Sequence, residues 1–394
     1  MMHLSKSLFF VFLFCLFTFS VSAQSPKQLV EEIFAYADVK INGDRPSDIQ
    51  VYDERFYQRV LKDRSLGFGE SYMDGWWDAQ ALDECIYKIL QANLTQKVKP
   101  TWGMIWNVVK AKMMNMQKKG TRSSKVIDAH YELGDDLYEN MLGSTMAYTC
   151  GYWKNAASLD GAQAEKFDLV AKKAGLKKGM TVLELGCGWG GFAKHIAKHY
   201  GVQVVAVNLS ADQAEYARKI SAGLPVEVRT QDYRDAEGSY DRVISIGMME
   251  HVGSKNYRGF MELIHRCLKD DGLAIVHTIG RNTSAVTADP WISRYIFPHG
   301  HLPSITQIGE AMEGLFVMED WHNFSASYDA TLMAWFANFE KNWGKIRSAY
   351  PDPFFKMWKY YLLSCAGAFR ARDIQLWQVV LSKKGVPGGY DSVR

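Results

Sequence analysis

The chain has 394 residues, 47% hydrophobic and 13% aromatic, and a formal net charge of +3. A chain of this length and composition can bury a large core and is expected to hold two domains. Its net charge is too small to indicate nucleic acid as a partner.

Residues 1–23 have the pattern of a targeting segment, either a signal peptide or an uncleaved anchor. Lys6 precedes an apolar run over 8–21, and Ala23 ends a suitable cleavage site. The run has 14 residues, which is short for a membrane span of about 20 residues. The cysteines after it include no C-x-x-C pair, so they indicate neither a disulfide framework nor a zinc site. The leader thus indicates export, whereas the cysteines are typical of a cytosolic protein.

Residues 24–119 are predicted to form a mainly helical N-terminal domain that docks on lipid. Its first helix is expected over 27–39, where apolar residues have helical spacing. Trp76 and Trp77 are interpreted as core residues. Residues 97–119 interleave Trp and Met with lysines. They form either a helix on an anionic bilayer surface or a helix packed on its own domain with solvated lysines.

Residues 120–125, G-T-R-S-S-K, are interpreted as a linker, and 126–394 as a catalytic domain. Near its start, A-Y-T-C-G-Y-W is polar and aromatic and could fold over a bound cofactor. Cys150 in this segment is either a small buried residue or a site residue.

Residues 181–191, T-V-L-E-L-G-C-G-W-G-G, predict a strand, a glycine turn and a helix from Phe192. Such a turn brings bare backbone against a ligand and directs a helix N-terminus at it. The glycines also fit a dinucleotide fingerprint, which expects an acid at the end of the next strand. That strand ends at Asn208 instead, and Glu184 precedes the first glycine. This arrangement, E-x-G-x-G-x-G, resembles S-adenosylmethionine (SAM) methyltransferases.

Strands alternate with helices after this turn, which predicts a doubly wound parallel sheet. The predicted strands are 202–207, 226–230, 241–247 and 272–279, and an antiparallel strand at 374–382. The predicted helices are 211–221, 256–268, 333–343 and 354–369.

Ligands of such sheets bind at the carboxyl ends of the strands. Asp232 suits a hydrogen bond to an adenine amine, and Tyr233 could cover the ring. Glu250 and His277 are expected to end adjacent strands, where chemistry is the favoured role for both. His251 has either a local structural role, in capping or packing, or a role in the functional site. Residues 281–304 form a long aromatic and apolar insertion, which is predicted to be a lid or an acyl-chain wall.

From about residue 27 to its C-terminus, the chain resembles the cyclopropane-fatty-acyl-phospholipid synthase family, which includes the mycolic acid cyclopropane synthases. The motifs that carry the resemblance are G-E-S-Y-M-D-G-W-W, V-L-E-L-G-C-G-W-G-G, Q-D-Y-R-D, E-H-V-G, H-T-I-G, D-P-W-I-S-R-Y-I-F-P and C-A-G-A-F-R-A-R-D-I-Q-L-W-Q-V-V. The resemblance implies a Rossmann-like SAM-dependent methyltransferase fold with a mostly parallel seven-stranded sheet. It also implies methylene transfer from SAM to a cis double bond of a phospholipid acyl chain.

The resemblance further implies a set of site residues. The expected bicarbonate cradle consists of Cys150, Glu250, His277, Tyr328 and the backbone at Ile279. Glu250 as the base itself is the alternative. Cys365 matches a cysteine linked to activity, with a structural role as the alternative. The expected SAM contacts are Tyr148, Thr149, Glu184, Gly186, Cys187, Gly188, Gly190, Asn208, Gln213, Asp232 and Tyr233.

The expected partner is a phospholipid bilayer with unsaturated acyl chains; a homodimer is left open, and nucleic acid is not expected. SAM use favours the cytoplasmic face of the inner membrane, whereas the leader favours the periplasm or an anchored form. Two other functions stay open. One is a different SAM-dependent methyltransferase of lipids or small molecules, and the other is an exported, non-catalytic lipid-binding protein.

Overall fold

The computed structural model describes residues 25–93, 134–285 and 288–394. The predicted leader, the lysine-rich segment 97–119 and the linker 120–125 lie outside the described residues. Within the described ranges, the helices are all too short or too polar to cross a membrane.

The helices of the described residues are numbered in chain order. They are α1 Pro26–Ala35, α2 Arg55–Met73, α3 Leu82–Gln91, α4 Asp135–Leu142, α5 Leu159–Lys173, α6 Gly191–Tyr200, α7 Ala211–Ile220, α8 Met249–Val252, α9 Tyr257–Cys267, α10 Pro290–Tyr295, α11 Ile305–Met312, α12 Ala326–Ile346 and α13 Phe354–Arg370. The strands are β1 Gln50–Val51, β2 Trp77–Asp78, β3 Thr181–Leu185, β4 Gln203–Asn208, β5 Val226–Thr230, β6 Tyr240–Ile246, β7 Leu268–Arg281, β8 Val317–Asn323 and β9 Ile374–Ser382.

A seven-stranded sheet with the order β5-β4-β3-β6-β7-β9-β8 organises the molecule. The pairs from β5 to β7 are parallel, and β9 runs antiparallel to both β7 and β8. The predicted mostly parallel sheet is therefore confirmed. The strand order reverses at β3, which has β4 on one side and β6 on the other. A crevice opens at such a switch point, beyond the carboxyl ends of the strands.

Helices cover both faces of the sheet because buried side chains alternate along the central strands. Val182 of β3 packs into one core with α5, α6 and α7, whereas Leu183 and Leu185 pack into the core on the α9 face. A third core joins α1, α2 and α3 to α12 and α13. The N-terminal helices thus share a continuous apolar interior with the C-terminal ones. The predicted domain division stays a prediction.

Several sequence-based boundaries differ from those of the structure. Strand β7 is longer than predicted because its pairing with β9 continues as far as Arg281. Helix α12 likewise extends beyond the predicted 333–343 at both ends. Strand β8 was missed because its sequence, V-M-E-D-W-H-N, mixes polar and apolar residues at a sheet edge. Trp77 is fully buried, as predicted, whereas Trp76 is only partly buried and lies under Arg55 and Arg59.

The predicted lid, residues 281–304, carries α10 and is docked on α2. Gly69 lies so close to Trp291 that a Cβ there would be 2.4 Å from the indole Cδ1 atom. The Glu70 carboxylate accepts a 2.9 Å hydrogen bond from the Tyr295 hydroxyl and a 2.6 Å bond from Arg59. These contacts fix the lid against the N-terminal helices.

Candidate active site

The glycine turn after β3 leaves its backbone open to a ligand. Gly186, Gly188 and Gly190 all have positive φ angles, of 80°, 53° and 80°, a conformation that glycine adopts without strain. Among the described residues, no atom other than those of the flanking chain lies within 4 Å of the position that a Cβ of Gly188 would take. Gly190 is instead a packing residue, because a Cβ at this position would be 2.6 Å from the Cβ of Ala217. It allows α6 to pack closely on α7.

A cavity at the sheet's switch point brings together ten of the eleven predicted SAM contacts. The exception is Gly190, which lies in the packing interface just described. The ten that line the cavity are Tyr148, Thr149, Glu184, Gly186, Cys187, Gly188, Asn208, Gln213, Asp232 and Tyr233. Their shared location supports a common ligand, and the individual contacts stay predictions.

Asn208 holds the glycine turn from the end of β4. Its amide nitrogen lies 2.9 Å from the carbonyl oxygen of Gly188 and 3.0 Å from Gln213 Oε1, and donates to both. Its own Oδ1 accepts from the backbone of Ser210 at 3.2 Å. An amide suits this position because it can donate and accept at once, which an ionised acid cannot do.

At the end of β5, the Asp232 carboxylate is already engaged by a neighbouring cation. Arg234 donates to both carboxylate oxygens, at 2.8 Å and 2.7 Å. Tyr233 also lines the cavity, and burial raises the pKa of its hydroxyl to about 12. The predicted hydrogen bond from an adenine amine to Asp232 would add to these contacts. Sequence reasoning missed Arg234, although it lies two residues after Asp232.

Glu184 and Lys166 place two buried ionisable side chains, one acidic and one basic, in the inner wall of the cavity. Glu184 is 2% exposed, and burial raises the pKa of its carboxyl to about 8. Lys166, on α5, is 1% exposed and donates a 2.7 Å hydrogen bond to Thr149 Oγ1. Burial lowers the pKa of its ammonium to about 7. Sequence reasoning missed Lys166; the signal was a lysine within the buried face of a helix.

Glu250 occupies α8, four residues beyond the end of β6, rather than the end of a strand as predicted. Its Oε1 accepts a 2.7 Å hydrogen bond from the backbone N–H of Ile279. That N–H, expected to contact bicarbonate, is thus used by Glu250. Its Oε2 is buried and has no hydrogen-bond partner among the described residues. Burial raises the pKa of the carboxyl to about 7.

His277 also departs from the prediction, because it lies within β7 and not at its end. It pairs with Ile246, the last residue of β6, so it is level with the rim of the sheet. Its Nδ1 lies 3.1 Å from Gln378 Nε2, while its Nε2 is buried without a hydrogen-bond partner in the described part of the chain. Burial, with Lys166 and Lys173, holds the pKa of the imidazole well below its usual value.

The other predicted catalytic residues approach from the loop before α5 and from α12 and α13. Cys150 is buried, with its Sγ 3.8 Å from Thr331 Oγ1. Burial raises the pKa of the Tyr328 hydroxyl, with further contributions from Cys150, Glu250 and Cys365. These groups therefore lie within electrostatic range of one another. Burial also raises the pKa of the Cys365 thiol, to about 12, which argues against a thiolate nucleophile.

The lining of the cavity, as the described residues form it, includes none of the five predicted catalytic residues, but two of them are chain neighbours of lining residues. Cys150 follows Thr149, and Glu250 precedes His251, both of which line the cavity. Burial lowers the pKa of His251 to about 4, so its imidazole is neutral there. Its ring centre lies 5.9 Å from that of Phe297 in the lid. His251 therefore has a place at the site, beyond local packing.

Comparisons with known proteins identify relatives of this chain. The family model for mycolic acid cyclopropane synthetase matches residues 118–379. Over 380 residues, the chain is 46% identical to the cyclopropane-fatty-acyl-phospholipid synthase of Escherichia coli K12, covering 96% of this chain and 99% of that protein.

Two solved structures are similar to about two thirds of this chain. The cyclopropane synthase MmaA2 from Mycobacterium tuberculosis aligns with a TM-score of 0.63 and 28% identity, over 68% of this chain and all (100%) of that one. The mycolic acid cyclopropane synthase CmaA1, complexed with SAH and CTAB, aligns with a TM-score of 0.62 and 32% identity, over 66% of this chain and 98% of that one. The predicted SAM-dependent methyltransferase fold is thereby confirmed. This chain belongs to the mycolic acid cyclopropane synthetase family.

Proposed function

We propose that this protein transfers a methylene group from SAM to the cis double bond of unsaturated phospholipid acyl chains. The E. coli relative named above, 46% identical over nearly its whole length, supports this substrate class. One observation of the structure carries the proposal. A cavity over an open glycine turn lies next in the chain to a buried carboxyl group, that of Glu250, whose Oε2 has no hydrogen-bond partner among the described residues.

The reaction needs close positioning because an alkene is a weak nucleophile. Holding it in line with the sulfonium methyl group lowers the barrier by removing the entropy cost of the encounter. Aromatic side chains suit this task, since they bind an acyl chain and exclude water. Tyr148 lies between Phe297 of the lid and Trp335 of α12, with ring centres 6.5 Å and 5.3 Å away. Its hydroxyl is 2.8 Å from that of Tyr361.

Ring closure also releases one proton from the transferred carbon, so the site needs a base. We propose that bicarbonate, held by Glu250 and His277, supplies that base when bound. The fit rests on the two buried atoms without hydrogen-bond partners in the described residues, Glu250 Oε2 and His277 Nε2. If the Gln378 amide donates to His277 Nδ1, the imidazole proton lies on Nε2, where it can be donated to an anion. Glu250 as the base is the alternative, since a pKa of about 7 suits proton transfer near neutral pH.

We further propose that the protein acts at a membrane surface, on the cytoplasmic side of the inner membrane. SAM is a cytoplasmic metabolite, which favours that side over the export that the leader indicates. Tyr36 and Tyr52, in the N-terminal part, expose 60% and 68% of their surface. Exposed tyrosines are common where a protein meets the lipid headgroup region.

The function is tested by expressing the chain in bacteria rich in unsaturated lipids and analysing their fatty acids by mass spectrometry. We expect acyl chains that have gained one CH2 and lost the double bond. Chains with a methyl branch carry two further hydrogens and would instead identify a different lipid methyltransferase. Purified protein that fails to bind SAM would identify a non-catalytic lipid-binding protein. Cells with the empty vector provide the control.

A further inference from the structure

Lys166 is a buried cation that the reaction described above does not use. Its side chain lies in the cavity wall beside Thr149 and Glu184, and its Nζ is 4.4 Å from the centre of the Phe167 ring. The ammonium donates one hydrogen bond, to Thr149 Oγ1 at 2.7 Å. A buried ammonium is costly unless an acceptor or an opposite charge compensates it. One neutral hydroxyl leaves two of its three protons available.

The charges that line the cavity point to the missing acceptor. Three basic side chains line it among the described residues: Lys166, Arg234 and His251. Arg234 is committed to the Asp232 carboxylate, and His251 is neutral. Lys166 is therefore the one cation of the cavity, within the described ranges, that is not paired with a carboxylate.

Glu184 provides the complementary half of the pattern. It lines the same wall, and its Oε2 is buried without a hydrogen-bond partner in the described part of the chain. The two side chains interact electrostatically, but no ion pair within 4 Å joins them in the described residues. A buried cation and a buried carboxyl that stay apart match the two ends of an α-amino acid. Glu184 suits its ammonium group, and Lys166 suits its carboxylate.

We propose that Lys166 binds the carboxylate of the amino-acid part of SAM, an inference that depends on the proposed use of SAM. A charge-assisted hydrogen bond in a buried site is stronger than a neutral one. The bond to Thr149 fixes the ammonium at the cavity wall before the ligand arrives. Lys166 therefore favours SAM over analogues that lack the carboxylate.

The test compares two ligands that differ only in this group, SAM and decarboxylated SAM, by calorimetry without lipid. We expect the wild-type protein to bind SAM about 10- to 100-fold more tightly, as for a hydrogen bond to a charged group. Lys166→Met should lower the affinity for SAM to that for decarboxylated SAM and leave the latter within about threefold of wild type. Lys172→Met, an exposed position on α5, should leave both affinities unchanged.

Two outcomes would overturn the inference. Lys166→Met could weaken the binding of both ligands by the same factor, which is the result expected if Lys166 has a purely structural role. Alternatively, wild-type protein could bind both ligands with equal affinity. In that case the carboxylate would add nothing to the binding free energy. This outcome can be measured even if the Lys166→Met variant does not fold. Wild-type protein that binds neither ligand would instead contradict the proposed function.

Discussion

At the scale of single residues, burial controls the protons of this site. Glu250 is only 8% exposed, and its Oε1 accepts a hydrogen bond from the backbone N–H of Ile279. A carboxyl group removed from water favours its neutral form. Its pKa of about 7 therefore allows Glu250 to donate or accept a proton near neutral pH.

We expect Glu250→Gln to reduce cyclopropane formation by about 100-fold or more, the usual contribution of acid–base catalysis. SAM affinity should stay unchanged because Glu250 does not line the SAM cavity. Product is measured by lipid mass spectrometry and SAM binding by calorimetry. Glu262→Gln, an exposed residue of α9 paired with Arg258, is the matched control. Wild-type turnover of the Glu250→Gln protein would remove this residue from the catalytic group.

The same substitution should change the pH dependence of stability. The folded-state pKa of Glu250, about 7, lies above the ordinary value of 4.5. Its contribution to stability is therefore complete below about pH 4.5 and is lost as pH rises through about 7. Glutamine does not ionise, so the variant should gain about 1 to 3 kcal/mol relative to wild type between pH 5 and pH 8. Urea unfolding in bicarbonate-free buffer measures this gain, and an equal difference at both pH values would contradict it.

At the scale of elements, the lid depends on helix α2. Trp291 of α10 lies against Gly69 of α2. The Tyr295 hydroxyl donates a hydrogen bond to Glu70, the next residue of α2. The lid also carries Phe297, whose ring faces Tyr148 and His251 of the cavity. An N-terminal helix thereby holds the segment whose Phe297 contacts two side chains of the cavity.

Gly69→Ala should therefore loosen the lid. Alanine in a helix normally stabilises it by up to about 1 kcal/mol relative to glycine. Here the added methyl would clash with Trp291, so we expect a net destabilisation of about 1 to 3 kcal/mol. Faster protease cleavage within 281–304 is the measurement. Gly259→Ala on α9, with no atom within 4 Å of its new Cβ, should not change that cleavage. Equal cleavage of the Gly69→Ala and wild-type proteins would show that the lid is held elsewhere.

Local patterns predicted most of the sheet and the glycine-turn side of the SAM cavity, whereas contacts such as Tyr148, Thr149 and Gln213 were implied only by the resemblance to the family. The glycine turn, Glu184 and Asn208 all lie within one strand–turn–helix unit or at the end of the next strand, so their spacing carries the information. Strand β8 has no such pattern, and its place depends on pairing with β9. Lys166 and Gln378 were missed for the same reason. Their roles arise only where α5 and β9 meet residues distant in the chain.

At the scale of the whole molecule, the N-terminal and C-terminal helices are joined by charge as well as by their shared core. Arg370 of α13 binds Asp83 and Glu84 of α3 and Asp329 of α12, at distances from 2.8 to 3.1 Å. A network of several charges contributes more to stability than an isolated ion pair on the surface does. This network connects the predicted lipid-docking part with the helices that carry Tyr328 and Cys365.

We expect the lysine-rich segment 97–119 to contribute to binding at an anionic bilayer surface. Replacing Lys110, Lys112, Lys118 and Lys119 by Gln should weaken binding to anionic vesicles, by about 1 kcal/mol for each lysine near the surface. The loss should be greatest at low salt, where charges are least screened. Vesicle sedimentation at two salt concentrations measures it. Replacing the exposed Lys177 and Lys178 should have little effect. An unchanged vesicle affinity would mean that the segment packs on the protein.

The position of β9 has a consequence for biosynthesis. Residues 374–382 leave the ribosome after the other six strands of the sheet, yet they insert between β7 and β8. Until then the 14-residue strand β7 has one row of unpaired backbone groups, a template for adhesion to other nascent chains. A premature stop codon before position 374 should therefore yield aggregated or degraded polypeptide, with no partially active product, even though every cofactor-cavity residue has already been translated.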